Sequence, residues 1–359
     1  MKLLTIALAT IATAGSGVLG LDKQVVGEAV VADSESNSYS FATSIIVDRT
    51  GGASVCSGAL ISPTVVLTSA KCVADPVSNK ALPASKVIVG QGKVADVLSS
   101  DSIDLTKAAS AGYAFPQAIT VHPGYNSIAF TDNIAVLTLS QPLANATGTN
   151  ANVKLIIKPK ASANTAYRGT GWGPYVSQGK TSYPEQAQET SLAVGDNSTC
   201  SDIWPPYASL TNSLCLVPTK SSSNVCDDNG LLVHAAEDKS IGLAGILNIV
   251  ATEDDVPTDK CTDEGVVDFF TTFDNYIGWL TQVTPLKQKD FVSTATFSYS
   301  SAATDSDQES ESDSSLASHS SDSDDESSDD VDTSTANPSF SSSSLLAAAA
   351  AVAAFSVLF

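Results

Sequence analysis

Three imidazoles, His122, His234 and His319, are the whole supply of side chains in this sequence whose ordinary pKa suits proton transfer at neutral pH. His319 lies in a Ser/Asp-rich run, His122 in VHPGY and His234 at the end of an apolar run, settings of exposed or structural histidines rather than of a catalytic group. Six cysteines, Cys56, Cys72, Cys200, Cys215, Cys226 and Cys261, form an even set that implies three disulfides in a secreted chain, and spacing alone leaves their pairing open. None has the close spacing with His that a zinc site needs. Glu253, Asp254 and Asp255 are consecutive, without the alternating ligands and central Gly of a calcium loop, and read as a solvated turn. No phosphate loop stands out, so neither a metal nor a cofactor is expected. Asn145 and Asn197 each open an N-x-S/T sequon, the acceptor for a glycan on a secretory route.

The elements that must position these residues occupy the middle of the chain. Its 359 residues carry 18 Lys+Arg against 39 Asp+Glu, a net charge of −21, which excludes electrostatic binding of nucleic acid. Asp305 to Asp332 supplies 12 of the acidic residues with no Lys or Arg, so the rest is only mildly acidic. Residues 1–20 have one cation, Lys2, then an apolar run and small residues, the layout of a secretory signal peptide. Residues 287–344 read as a Ser/Asp-rich stalk too polar to fold, and residues 345–359 as an apolar tail. Ser334, Thr335 and Ala336, a polar spacer and that tail match a GPI-anchor signal. The expected location is extracellular, with possible attachment to a cell surface.

Residues 21–286 are left for folding, a size suited to an all-β barrel domain. Short runs rich in Val, Ile, Leu and Thr, at residues 40–48, 54–62, 64–70, 85–91, 117–123, 133–140, 153–158, 213–217, 230–234 and 241–250, are separated by Gly, Pro, Asn and Asp and predict strands. Only DNYIGWLTQ, residues 274–282, has a helical pattern.

CSGALISPTVVLTSAKC from Cys56 to Cys72 resembles the chymotrypsin/trypsin-like serine proteases, peptidase family S1. The resemblance continues through VHPGY, DNIAVLTL from Asp132, TGWG at Thr170, VVGE at Val25, CDDNGLL from Cys226 and GVVDFFTTFDNYIGWL from Gly265. It implies two six-stranded antiparallel β-barrels with the site between them and a C-terminal helix. It also implies disulfides Cys56 to Cys72, Cys200 to Cys215 and Cys226 to Cys261. The triad positions fall at Lys71, Asp132 and Asn229, the oxyanion-hole position at Asp227, and the pocket positions at Asn224, Asn248, Ile249 and Val250.

Acyl transfer needs a nucleophile, a base and donors aimed at the developing oxyanion. Lys71 offers an ammonium with three donors and no acceptor, and the Asn229 amide is not a nucleophile. A carboxylate at Asp227 would repel the charge that an oxyanion hole stabilises. Val250 would obstruct the pocket mouth, and Asp132 is expected to pair with Lys71. A cut after Lys23 would leave Gln24 ahead of Val25, while Asp228 could accept a new N-terminal amine. The chain is thus expected to be a pseudoenzyme that binds protein. Among S1 homologues with broken triads it is similar to the glucanase inhibitor proteins secreted by oomycete plant pathogens, which bind host endo-β-1,3-glucanases. That similarity implies an inhibitor acting in virulence, with such a glucanase as partner. Two other readings are a trypsin-like endopeptidase working by another constellation, and a surface-anchored structural protein of a cell wall.

Overall fold

Two groups of six antiparallel strands form the body of the protein. The computed structural model describes residues 29–30, 39–91, 93–99, 102–143, 151–173, 175–177, 180–183, 187–219, 230–235, 240–258 and 265–297. All belong to one compact unit, Met1–Asp307. The expected leader, the stalk beyond residue 297, the apolar tail, Asn145, Asn224, Cys226, Asp227, Asp228, Asn229 and Cys261 lie outside the described residues.

The first group comprises β1 (Ala42–Arg49), β2 (Gly52–Ser62), β3 (Val65–Thr68), β4 (Val87–Gly90), β5 (Pro116–Val121) and β6 (Ala135–Leu139). They pair in the order β4-β1-β2-β3-β6-β5. Gly51 and Gly52, at φ 96° and 148°, make the β1–β2 turn in a region that side chains with a Cβ avoid. The two edges meet where Ala114, just ahead of β5, bridges Val89 of β4 through two 2.9 Å hydrogen bonds.

The second group comprises β7 (Ala166–Gly171), β8 (Gln188–Val194), β9 (Ser213–Pro218), β10 (Leu231–Ala235), β11 (Ile241–Ala251) and β12 (Val267–Thr271). Here pairing runs β8-β7-β10-β11-β12-β9 and returns to β8, so the barrel closes on itself and leaves none of the six as a free edge. Ala29–Val30 adds to β8, and the run expected at 153–158 contributes only Lys154–Leu155, parallel to β11.

The short helices are α1 (Ala70–Val73), α2 (Val94–Val97), α3 (Leu105–Ser110), α4 (Asn197–Ile203), α5 (Ile277–Val283) and α6 (Gln288–Phe291). None of the described helices is long and apolar enough to cross a membrane. Helix α5 is the expected C-terminal helix and buries Leu280 in the core of the first barrel.

That core runs from Phe41, Ile45, Leu60 and Leu67 across to Leu231, Leu243 and Ile246 of the second barrel, so the barrels share apolar surface. The second barrel is filled by Tyr167, Leu192, Leu214, Leu232, Leu247 and Phe270. Strand β12 is buried on both faces: Phe270 points into the barrel and Phe269 outward under Trp204 and Tyr207, with ring centroids 5.0 and 5.3 Å away. Each of these phenylalanines contributes about 1.5–3 kcal/mol by burial. Disulfides Cys56–Cys72 and Cys200–Cys215 close loops of 16 and 15 residues, and each constrains the unfolded chain by about 2–4 kcal/mol.

The folded region does not end at residue 286. Residues 287–297, assigned from the sequence to the stalk, include α6, whose Phe291 is fully buried in the first core, and Phe297, which packs on the second. Two aromatic anchors in eleven residues outweigh the polar composition of the segment.

Candidate functional site

The site is built where three elements converge between the barrels: helix α1, the loop ahead of β6 and the middle of β11. Helix α1 is a single turn, capped by Ser69, whose Oγ accepts from the Cys72 N–H at 3.2 Å, and tied to β2 by Cys56–Cys72. Its C-terminal carbonyls are held from below, since Arg49 Nη2 donates to Lys71 O and Cys72 O at 3.1 and 2.6 Å. Lys71 itself is exposed on this turn.

The Lys71 backbone N–H donates to Asn133 Oδ1 at 2.8 Å. Asn133 is only 1% exposed, and its Nδ2 donates to Asn248 Oδ1 at 3.0 Å. Asn248 is the extra residue of a β-bulge, where the β11–β12 register shifts between Leu247 and Ile249. A bulge re-aims the side chain at its centre, and here Nδ2 of Asn248 donates to Phe130 O at 2.8 Å. An uninterrupted chain of neutral hydrogen bonds therefore joins α1, the 130–133 loop and β11.

Asp132 does not take part in it. The expected pairing with Lys71 is replaced by another, in which Asp132 Oδ1 accepts from the Tyr276 hydroxyl at 2.9 Å. The cause is backbone geometry: Asp132 sits at φ 49°, which turns its carboxylate away from α1 while Asn133 points inward. Of the two neighbours, it is Asn133 that reaches residue 71.

Tyr276 also accepts from Asn212 Nδ2. Burial, then the charge of Asp132 and the bond to it, push the Tyr276 phenol above its usual range. His122 lies with its Nδ1 3.9 Å from Asp132 Oδ1, edge-on to Tyr276 and Trp279 at ring-centroid distances of 5.1 and 5.0 Å. Its Nδ1 accepts the Gly124 N–H at 3.2 Å, and burial holds its pKa below the ordinary value despite an opposing pull from Asp132. His234 stands between Tyr167 and Phe297, 5.4 and 5.9 Å away, well removed in role as an aromatic packing residue.

Of the pocket positions, Asn248 belongs to the hydrogen-bond chain, whereas Ile249 and Val250 are buried against the outer and inner faces of the second barrel. Glu253, Asp254 and Asp255 are exposed in a tight turn closed by Thr252 N–H donating to Asp255 O at 2.9 Å. Asn197 is exposed at the first residue of α4. Among the described residues no group of His, Cys, Asp and Glu is placed to hold a metal ion.

Asn133 and Tyr276 are the residues that sequence reading passed over. In sequence the segment offers its carboxylate at Asp132. Only the left-handed backbone at Asp132 moves the inward position to the next residue.

The chain has relatives among known proteins. The family model described as Trypsin matches residues 30–280. Trypsin alpha of Drosophila melanogaster is 27% identical over 216 residues, covering 60% of this chain and 76% of that protein. Chymotrypsin-like elastase family member 1 of Rattus norvegicus is 26% identical over 266 residues, 71% of this chain and 89% of that protein. Glucanase inhibitor protein 3 of Phytophthora infestans is 28% identical over 186 residues, 50% of this chain and 61% of that protein. With a family match spanning both barrels and the residues that join them, the chain belongs to the trypsin family.

Proposed function

We propose that this trypsin-family chain no longer catalyses and acts by binding another protein, with an endo-β-1,3-glucanase as its target. The observation that carries the first half is the network at residue 71. The side chain that reaches the base position is the neutral Asn133, and the base position holds Lys71, which has no acceptor to offer a nucleophile. Position 229, where the family's nucleophile falls in sequence, is Asn. Loss of a single nucleophile or base in such an enzyme costs about 10⁶ in turnover, and further losses add little because the group acts as a unit. A rigid scaffold that keeps its loops after losing its chemistry is suited to recognition.

Likeness to a protein named glucanase inhibitor protein 3 supports the choice of target. The expected result is that the full chain with its disulfides intact binds an endo-β-1,3-glucanase and lowers its rate of glucan hydrolysis. Glucanases that neither bind nor slow would remove the target. Covalent labelling of the chain by a fluorophosphonate probe would overturn the loss of catalysis.

Two disulfides fit an extracellular protein. We extend this to a third, Cys226 to Cys261, to glycans at Asn145 and Asn197, and to exchange of the apolar tail for a GPI anchor. Mass spectrometry of the mature protein should show all three. Free thiols at Cys226 and Cys261, or an intact tail, would contradict the corresponding part.

A further inference from the structure

A cavity of about 150 Å³ opens beside Asp132, between the 130–132 loop of the first barrel and strands β9, β11 and β12 of the second. Several hydrogen-bond acceptors in its lining have no donor against them among the described residues. Asn212 donates through Nδ2 to Tyr276, and Asn275 donates through Nδ2 to Thr211 Oγ1 at 3.2 Å, so each leaves its carbonyl oxygen over. Ser213 Oγ is buried without a hydrogen-bond partner. Asp132 is one-third exposed and has no cationic side chain of a Lys or Arg against it among the described residues. Its titratable neighbours are Tyr276, whose hydroxyl donates to it, and His122, which spends its Nδ1 lone pair on the Gly124 N–H. Asn248, by contrast, has both ends of its amide committed.

The backbone around this cavity is held in a costly form. Phe130 and Asp132 adopt φ of 54° and 49°, a region in which non-glycine residues are uncommon and which clusters at binding sites. Asp132 forms part of the cavity wall, beside its hydrogen bond to Tyr276. Phe130 and Leu210 supply apolar wall.

We propose that this cavity binds the head group of an alkylammonium or guanidinium ion, with Asp132 as counter-ion and the Asn212, Asn275 and Ser213 oxygens as further acceptors. An N–H-rich cation matches one carboxylate, two carbonyls and a hydroxyl, and the two apolar residues suit a methylene stem. A divalent metal is a poorer match, because it needs six or more oxygens at about 2.3–2.6 Å and one carboxylate in a cavity of this size does not converge on a bare ion. The same chemistry is offered by a lysine or arginine side chain of a protein partner and by a free amine, and the test separates them.

The full chain is titrated with n-butylammonium and with agmatine, followed by the NMR signals of side-chain amides. Both are expected to saturate, shifting the amides of Asn212 and Asn275. Asp132→Asn keeps the oxygen that accepts from Tyr276 but removes the charge, and should weaken binding tenfold or more. Asp254→Asn, on the exposed turn, should leave it unchanged. Ser213→Ala removes a hydroxyl that the fold does not use, and should preserve stability while weakening binding several-fold. Affinity confined to the millimolar range, with butylammonium competing against a bound protein, assigns the site to a partner's side chain; micromolar affinity for a free amine assigns it to the small molecule. Absence of saturable binding by both cations, equal binding by Asp132→Asn and wild type, or displacement of the amines by millimolar calcium would overturn the proposal. It stands or falls apart from glucanase inhibition, since neither cation requires that enzyme.

Discussion

A chain cut after Leu286 is expected to melt roughly 10 °C or more below one cut after Phe297. The residues in between look dispensable by composition, but they seal both barrels. Phe291 is fully buried in the core that joins the barrels, and replacing a buried Phe by Ala alone costs about 3–5 kcal/mol. Around it, the backbone of Val292 bridges Leu155, and the Ser293 N–H donates to Leu155 O at 2.9 Å. Lys154 Nζ donates to the carbonyls of Lys289 and Asp290 at 3.2 and 2.8 Å. Helix α6 starts where Asp290 Oδ2 accepts the Lys287 N–H at 2.8 Å. Farther on, Phe297 packs on the second core and would collide with any side chain added at Gly242. For a domain of this size each kcal/mol shifts the melting temperature by about 2–4 °C. Thermal unfolding of the two truncations, with Phe291→Ala in the longer one, measures the effect. Equal melting temperatures would show that the segment only rests on the barrels.

That segment shows where the sequence was and was not legible. Strands such as Ala42–Arg49, Gly52–Ser62 and Ile241–Ala251 announce themselves because long apolar and β-branched runs are bounded by turn residues. Ala166–Gly171 and Gln188–Val194 do not. Their sequences, AYRGTG and QETSLAV, mix Gly, Arg, Gln and Glu into the closed barrel, where ring closure rather than local pattern decides that they pair. VDFFT lacks alternation because both faces of Val267–Thr271 are covered, the outer one by Trp204 and Tyr207 from a separate loop. VKLIIK departs the other way: its strand is only Lys154–Leu155, although the Ile156 N–H still donates to Leu243 O of β11 at 2.7 Å and its side chain is buried in the second core.

Of the positions that family resemblance marks, Lys71, Asp132 and Asn248 lie around the junction, while Asn224, Asp227 and Asn229 fall outside the described residues; the hydrogen-bond partner of Lys71 and of Asn248 there is Asn133. No hydrophobic or spacing pattern distinguishes Asp132 from Asn133. The distinction rests on a positive φ, which sequence reveals readily at glycine and poorly at Asp.

Substitution of Asn133 should be among the most damaging polar changes in the protein. Asn133→Ala removes the acceptor of the Lys71 N–H and the donor to Asn248, leaving groups in a buried junction unpaired. With unsatisfied buried groups costing about 1–3 kcal/mol apiece, the loss should be about 2–4 kcal/mol. Asn133→Asp, which restores a carboxylate, should be at least as harmful at pH 7. The ionised side chain of this variant can still accept from Lys71 N–H, but it has nothing to donate to Asn248 Oδ1. Flipping the Asn248 amide would instead set that oxygen against Phe130 O. A protonated carboxyl can donate as the amide does, so burial and this contact both raise the folded-state pKa of the new group above its unfolded value near 3.9. The folded state then holds the proton more tightly than the unfolded chain. The variant's deficit should accordingly be small below about pH 4, grow as pH rises from there through the raised folded-state pKa, and level off above it. Chemical denaturation of both variants against wild type across that range is the measurement. A deficit for Asn133→Asp that shrinks as pH rises would mean that Lys71 swings in to pair with the acid, and that the ammonium, now exposed, is available to the site after all.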